Sequence, residues 1–255
     1  MDALWNTLVI KFPDIVTGTI LTLVFFVVCG ILAMVIAIPV GLGRLSRVRV
    51  IRALCAFYVE TIRGTPLLFQ LLVWSFGVQI VVVSLFGFSA DQFIFQILTD
   101  LNSNNLYPKD ITLAPIFFGI IGLGVNYSAY MAEVIRAGVQ SVEHGQTEAA
   151  LSLGLSRAQT TRFIILPQAL RIMIPPLTNN FITLVQDTSF LQVLGVYELS
   201  LVIQTAVQAT NSSQIVVRWG LYGVALAIYF VICYSLALIS RRAERRTQRT
   251  MAGAH

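Results

Sequence analysis

Charge is scarce in this sequence. Of 255 residues only 11% are Asp, Glu, Lys or Arg, against 56% apolar, whereas a soluble domain carries about 25% charged residues. Such a chain belongs in a bilayer. Lysine is scarcer still: Lys11 and Lys109 stand alone, and neither lies in a Gly-x-x-x-x-Gly-Lys-Ser/Thr phosphate loop. ATP hydrolysis by that mechanism is therefore excluded. The only histidines, His144 and His255, have no second ligand nearby, and Cys29, Cys55 and Cys233 are separated within apolar segments. Neither a metal site nor a disulfide framework is expected, and the cysteines read as small core residues. No serine sits in a nucleophile elbow and no acid pair in a catalytic frame, so a non-enzyme with no catalytic residues and no cofactor of its own is expected. No secretory leader is expected. The first apolar run follows Pro13 and Asp14 with no basic segment ahead of it and is longer than a signal-peptide core, so it reads as a permanent span.

Long apolar runs are abundant. A span takes about 20 mostly apolar residues to cross about 30 Å of hydrocarbon. Five stretches qualify, roughly Ile15 to Gly43, Ala53 to Phe88, Ile111 to Ile135, Ile165 to Gly195 and Ile215 to Ser240. The second and fourth exceed one crossing, and each carries helix-disrupting residues: Arg63, Gly64, Thr65 and Pro66 in one, Pro175, Pro176, Asn179 and Asn180 in the other. Irregular backbone is tolerated at membrane depth only where protein or a water-filled cavity satisfies it. Breaks are therefore expected at both places, as pathway or gating positions or as simple proline kinks.

Arginine placement orients the spans. Arg44, Arg47, Arg49 and Arg52 lie between the first two with no acid among them, and Arg241, Arg242, Arg245, Arg246 and Arg249 follow the fifth with only Glu244. Both segments should be cytoplasmic. The loop between spans two and three sets Lys109 against Asp91, Asp100 and Asp110, which suits the opposite face. The N-terminus is then outside, the C-terminus inside, and the loop from about Arg136 to Arg162 inside. The net charge of +5 is thus spent on topology, with no nucleic-acid partner expected. The basic tail would anchor to anionic membrane lipid.

Within the third loop, Val139, Val142, Ala149, Ala150 and Leu153 recur at helical spacing, predicting a short amphipathic helix from Val139 onward. Gly154 sits where a left-handed stop is wanted. Ser156 and Gln159 make a Ser-x-x-Gln capping box for a second helix, which Pro167 ends or joins to span four. From these residues alone the loop is a helical hairpin that packs on the membrane helices or on a partner.

The spacing of that segment is specific: Glu148-Ala149-Ala150, three residues, Gly154, nine residues, Ile164, one residue, Leu166-Pro167. It resembles the EAA loop of the permease subunits of ABC importers of type I. Gly124 to Gly145, GVNYSAYMAEVIRAGVQSVEHG, with Arg-Gly-Thr-Pro at 63–66 and Gln-Asp-Thr-Ser at 186–189, narrows the resemblance to the polar amino acid uptake family, as in histidine, arginine and glutamine importers. It covers the chain from about Thr17 to Arg241. The long outer loop from Gly87 to Asp110 departs from many relatives. The resemblance implies that Glu148, Ala149, Ala150, Gly154, Leu155 and Ser156 dock an ABC ATPase subunit, present in two copies and carrying ATP and Mg. It also implies an identical or paralogous second permease subunit and an extracytoplasmic amino acid binding protein.

Polar residues inside spans are costly and by default functional. Glu60 and Arg63, three apart, can pair with each other, or serve a gate or substrate. Asp187, between Gln186 and the hydroxyls of Thr188 and Ser189, suits a substrate ammonium, or is a solvated residue at a helix end. Asn179 and Asn180 line the same cavity or bond to neighbouring helices. The expected architecture is an all-α integral membrane permease of five transmembrane helices forming a single domain. Its core runs from about 15 to 240, with the cytoplasmic loop at about 136–167 and the tail at 241–255, in the bacterial plasma (inner) membrane. The function expected is alternating-access import of polar amino acids with a second permease. An ion-coupled secondary transporter, for which no inverted repeat is visible, and a non-transporting membrane scaffold are the rivals.

Overall fold

The computed structural model describes residues 2–86, 113–210 and 214–252. The expected outer loop and His255 lie outside these. Every regular element among the described residues is helical. In order they are α1 (Asp2–Gly43), α2 (Arg49–Arg63), α3 (Leu67–Leu72), a π turn (Val73–Gly77) leading into α4 (Val78–Phe86), and α5 (Leu113–Gln140). Then come α6 (His144–Ser152), α7 (Arg157–Thr160), a second π turn (Thr161–Ile165), α8 (Leu166–Asp187), a 3-10 segment (Thr188–Leu194), α9 (Leu199–Gln208) and α10 (Ile215–Ala252).

Three helices are each long and apolar enough to cross a bilayer: Ala3–Gly43, Pro115–Gln140 and Ile215–Arg242. A fourth span forms if Arg157–Leu194 and Leu199–Gln208, bent by 49°, are taken together. α1 starts at Asp2 rather than near Ile15, and continues through Pro13. Burial separates the long helices by role. In the apolar window of Ile215–Arg242 only 6% of residues are buried, against 61% in Pro115–Gln140, so α10 offers its sides to lipid or a partner while α5 is interior.

The second expected span is not one helix. Pro66 has no N–H and disfavours helical backbone at the residue before it, so the chain breaks at Gly64–Pro66 as the sequence predicts. Buried Gln70 closes the break, its Nε2 donating to Thr65 O at 3.1 Å and Thr65 Oγ1 at 2.7 Å. Before the break, α2 carries Arg49, Arg52, Glu60 and Arg63 among its apolar residues. It is an amphipathic helix, and on the far side the short apolar helix Leu67–Gly77 leads directly into α4.

The fourth span breaks elsewhere than expected. α8 runs unbroken through Pro175 and Pro176. The interruption comes after the 3-10 segment, at Gly195, where φ is +76°, a left-handed conformation that favours glycine. Asn179 and Asn180 are therefore mid-helix residues. Pro167 does not end a helix but marks the junction with the fourth span, as the second of its two readings has it. It follows the π turn in which Leu166 N–H bonds to Thr161 O, and Gln168 Nε2 donates to Ile164 O at 3.1 Å. A side chain thus adds a bond to the carbonyl of a π-turn residue.

The chain forms two compact units: Met1–Ile31, Thr65–Gly124 and Leu184–Cys233 in the first, Leu32–Gly64, Val125–Thr183 and Tyr234–His255 in the second. The first is built on Ile15, Leu199, Val202, Ile203, Val217 and Leu221, drawn from α1, α9 and α10. Gly18 lets α1 approach α9 closely, since a Cβ there would come 3.0–3.2 Å from Val202 and the Leu199 backbone. Cys29 is buried and free, as a small core residue should be. In the second unit Tyr58 bonds to Ser128 Oγ at 2.6 Å and Val125 O at 3.0 Å, tying α2 to α5.

Candidate functional site

The docking candidates of the second unit form an elbow fixed by two caps. Leu155 N–H donates to Ala150 O at 3.2 Å and Gly154 N–H to Leu151 O at 3.0 Å, with Gly154 at φ +82°. That pair of bonds is the Schellman ending of α6, which needs a left-handed residue. One residue later Ser156 Oγ accepts Gln159 N–H and Gln159 Oε1 accepts Ser156 N–H at 2.9 Å. Stop and start are both locally determined, so the angle between α6 and α7 is set without help from the membrane helices.

The apolar face of the elbow differs from the expected one. Glu143 is extended and serves as the N-cap of α6, so Val139 and Val142 do not share a helix with Ala149. With the helical phase reset at His144, Ala150 is buried but Ala149 and Glu148 are exposed, and Leu153 is 84% exposed. A leucine that bare, beside exposed Leu151, has no role in the core of this chain.

α5 carries an ionic cluster into the same unit. Glu133 accepts from both Arg44 and Arg136, Arg136 also donates to Gln140, and Arg44 lies 3.6 Å from Glu60. The expected Glu60–Arg63 pair is replaced by this arrangement. Arg63 instead stands 5.3 Å from the ring centroid of Tyr130, a cation–π distance. Glu133 is 24% exposed and Glu60 74%, so the two carboxylates differ in worth. Replacing Arg44 with Gln is expected to cost about 1–3 kcal/mol by stripping a charged hydrogen bond from Glu133. Glu60→Gln should stay within about 0.5 kcal/mol of wild type. Thermal unfolding of the purified protein in detergent checks both.

Reasoning from sequence missed a second polar cluster, in the first unit. Glu198 is fully buried at the N-cap of α9. Its Oε1 accepts Leu201 N–H at 3.0 Å, and its Oε2 accepts Thr22 Oγ1 at 3.2 Å and the Tyr229 hydroxyl at 3.0 Å. Ser200 bonds Tyr229 at 2.9 Å and Leu199 N–H donates to Thr22 Oγ1 at 3.2 Å. The carboxyl thereby joins α1, α9 and α10 where the fourth span breaks. An acid in the apolar run Leu194 to Val202 was the available signal.

The pathway candidates are distributed over both units. Arg63, Gly64, Asn179 and Asn180 belong to the second; Thr65, Pro66, Gln186, Asp187, Thr188 and Ser189 belong to the first. Asp187 ends α8 and is half-buried, and Thr188 is buried, its hydroxyl donating to Val185 O at 2.7 Å. Asn180 Nδ2 is buried with no acceptor among the described residues.

The sequence profile of the inner membrane components of binding-protein-dependent transport systems matches residues 27–249. The chain belongs to this family. The permease is accordingly a multi-pass inner membrane protein. It is 35% identical over 249 residues to the L-cystine transport system permease protein TcyB of Bacillus subtilis (strain 168), covering 97% of this chain and 93% of that one. Identity to the glutamine transport system permease protein GlnP of Escherichia coli (strain K12) is 30% over 242 residues, 95% of this chain and 96% of that one. Among solved structures, an amino acid ABC transporter crystallised with histidines superposes with a TM-score of 0.73 at 29% identity, covering 94% of the permease and 97% of that chain. The inward-facing MetNI methionine ABC transporter gives a TM-score of 0.67 at 21% identity over 91% of the permease and 95% of that chain, a likeness of fold.

Proposed function

We propose that the permease is the membrane-spanning subunit of an ATP-driven importer of polar amino acids, working by alternating access. The observation that carries this reading is the capped elbow, whose exposed Leu151 and Leu153 lie just before a left-handed Gly154. Such a surface suits a groove on a separate ATPase subunit, two copies of which would hold ATP and Mg, since this chain has no phosphate loop. A second permease, identical or paralogous, and an external amino acid binding protein complete the assembly. With five crossings and the N-terminus outside, the topology that the arginine placement supports, the elbow would face the ATP side. Within the first unit, Asp187 with Ser189 would offer acceptors to a substrate ammonium.

A pull-down of the tagged permease in mild detergent, with mass spectrometry of what stays bound, tests the docking part. Co-purifying ATPase is expected, and its absence from a complex of proven integrity would return the loop to an ordinary hairpin. Transport is tested by uptake of labelled amino acids into proteoliposomes holding the purified complex. Asp187→Asn is expected to slow uptake by about tenfold or more, the worth of one hydrogen bond to a charged group, with ATPase retention unchanged. Uptake at the wild-type rate would remove Asp187 from the pathway.

A further inference from the structure

The second unit holds an open cavity of about 540 Å³ lined by Arg44, Arg49, Arg52, Arg136 and Gln140. Its charges do not cancel. Arg44 and Arg136 are engaged by Glu133 and Glu60, whereas Arg49 and Arg52 have no ion-pair partner among the described residues. No side chain caps the N-terminus of α2, where Arg49 is the first residue, so the amides of its first turn add to the positive field. Around α2 from this basic face, Val50, Leu54 and Phe57 form a stripe at helical spacing, and they are 66%, 65% and 72% exposed. A helix with a basic face beside an apolar one lies in a membrane interface.

We infer that this cavity binds the phosphate headgroup of an anionic phospholipid, whose acyl chains run along Val50, Leu54 and Phe57. Guanidinium forks match phosphate oxygens two at a time, and basic pockets between helices on the cytoplasmic side are suited to lipid headgroups. The apolar stripe favours a lipid over free phosphate, which would leave those side chains in water. Gln140, bonded to Arg136, is the last residue of α5 and lines a neighbouring cavity with Val142 and Thr147. The site therefore adjoins the connection that leads into the elbow.

The test uses the purified permease with its bound subunits, extracted from vesicles of phosphatidylcholine and phosphatidylglycerol, with retained lipid counted by native mass spectrometry. Phosphatidylglycerol is expected to be retained selectively. The Arg49→Gln/Arg52→Gln double variant should lose it by about fivefold for each arginine removed. Arg162→Gln/Arg171→Gln, an equal loss of charge at exposed positions outside the cavity and the basic tail, should retain it. Equal loss in both pairs, or no selectivity in the wild type, overturns the site. Displacement of the lipid by excess inorganic phosphate would make it a free-anion site. Release of the ATPase from the first pair with lipid still bound would assign the arginines to protein docking. A phosphatidylglycerol with a photoreactive acyl chain should label α2 in the wild-type protein, so the result does not depend on a variant assembling; labelling confined to other helices overturns the site as well.

Discussion

In a Gly154→Glu variant, ATP-driven uptake is expected to fall to background while the permease still enters the membrane and unfolds near the wild-type temperature. The two halves of this expectation have separate causes. Gly154 holds φ +82° and a Cβ built on it meets nothing within 4 Å. The internal cost is thus backbone strain alone, about 1–2 kcal/mol for a left-handed non-glycine residue. That is small against a typical folding stability of about 5–15 kcal/mol. Loss of coupling must then arise outside the chain, where a long charged side chain would stand between exposed Leu151 and Leu153 and whatever covers them. Gly154→Asn is the control, because Asn tolerates the left-handed region and adds no charge. It should keep more of its ATPase in a pull-down than the Glu variant does. Normal uptake by Gly154→Glu would falsify the docking role of the elbow.

Glu198→Leu is expected to have the opposite signature, a loss of stability of about 2–4 kcal/mol. Leucine is apolar and similar in size, so little packing is lost. The Leu201 N–H, however, would be left without its cap acceptor, at about 0.5–2 kcal/mol, and the Thr22 and Tyr229 hydroxyls would lose theirs, a hydrogen bond to a charged group being worth about 1.5–3 kcal/mol. Tyr229 keeps Ser200 and Thr22 still accepts from Leu199 N–H, which bounds the damage. Glu198→Gln should recover most of the stability, because its carbonyl can cap Leu201 while its amide donates to hydroxyl oxygens free to rotate. Thermal unfolding in detergent distinguishes them: a Gln variant as unstable as the Leu variant would mean that the charge, not the hydrogen-bond pattern, holds the three helices.

The elbow was legible in the sequence because its rules are local. A left-handed stop asks for glycine and a capping box asks for Ser-x-x-Gln, and both form where the sequence predicts. The break at Gly64–Pro66 was legible for the same reason. What failed depended on neighbours distant in the chain. Glu60 and Arg63 have the spacing of a helical pair, yet Arg44, from a segment read only for topology, takes Glu60, while Tyr130 faces Arg63. Pro175 and Pro176 look like a break, yet α8 continues through them. The outward turn of Leu153 hinges on Glu143 becoming an N-cap, a choice of phase that hydrophobic periodicity blurs. Glu198 went unnoticed because a lone acid near a span end is ordinary until Thr22 and Tyr229, far away in sequence, converge on it.

The π turn at Thr161–Ile165 gives the segment after the elbow a mismatch of pitch. One residue of an α-helix corresponds to about 100° of rotation about its axis, and a π turn stores one residue more than the α-helix would. Faces counted from Arg157 and faces counted from Asp187 therefore do not line up along one stripe. The elbow and the membrane-embedded part of α8 are like two gears meshed one tooth apart, so the direction in which the elbow presents Leu153 is set by the length of the chain between Ser156 and Pro167. Along this stretch residue count carries meaning of its own: outside the capping pair Ser156 and Gln159, an exchanged side chain leaves the phase intact, whereas an added or removed residue shifts it by about 100°.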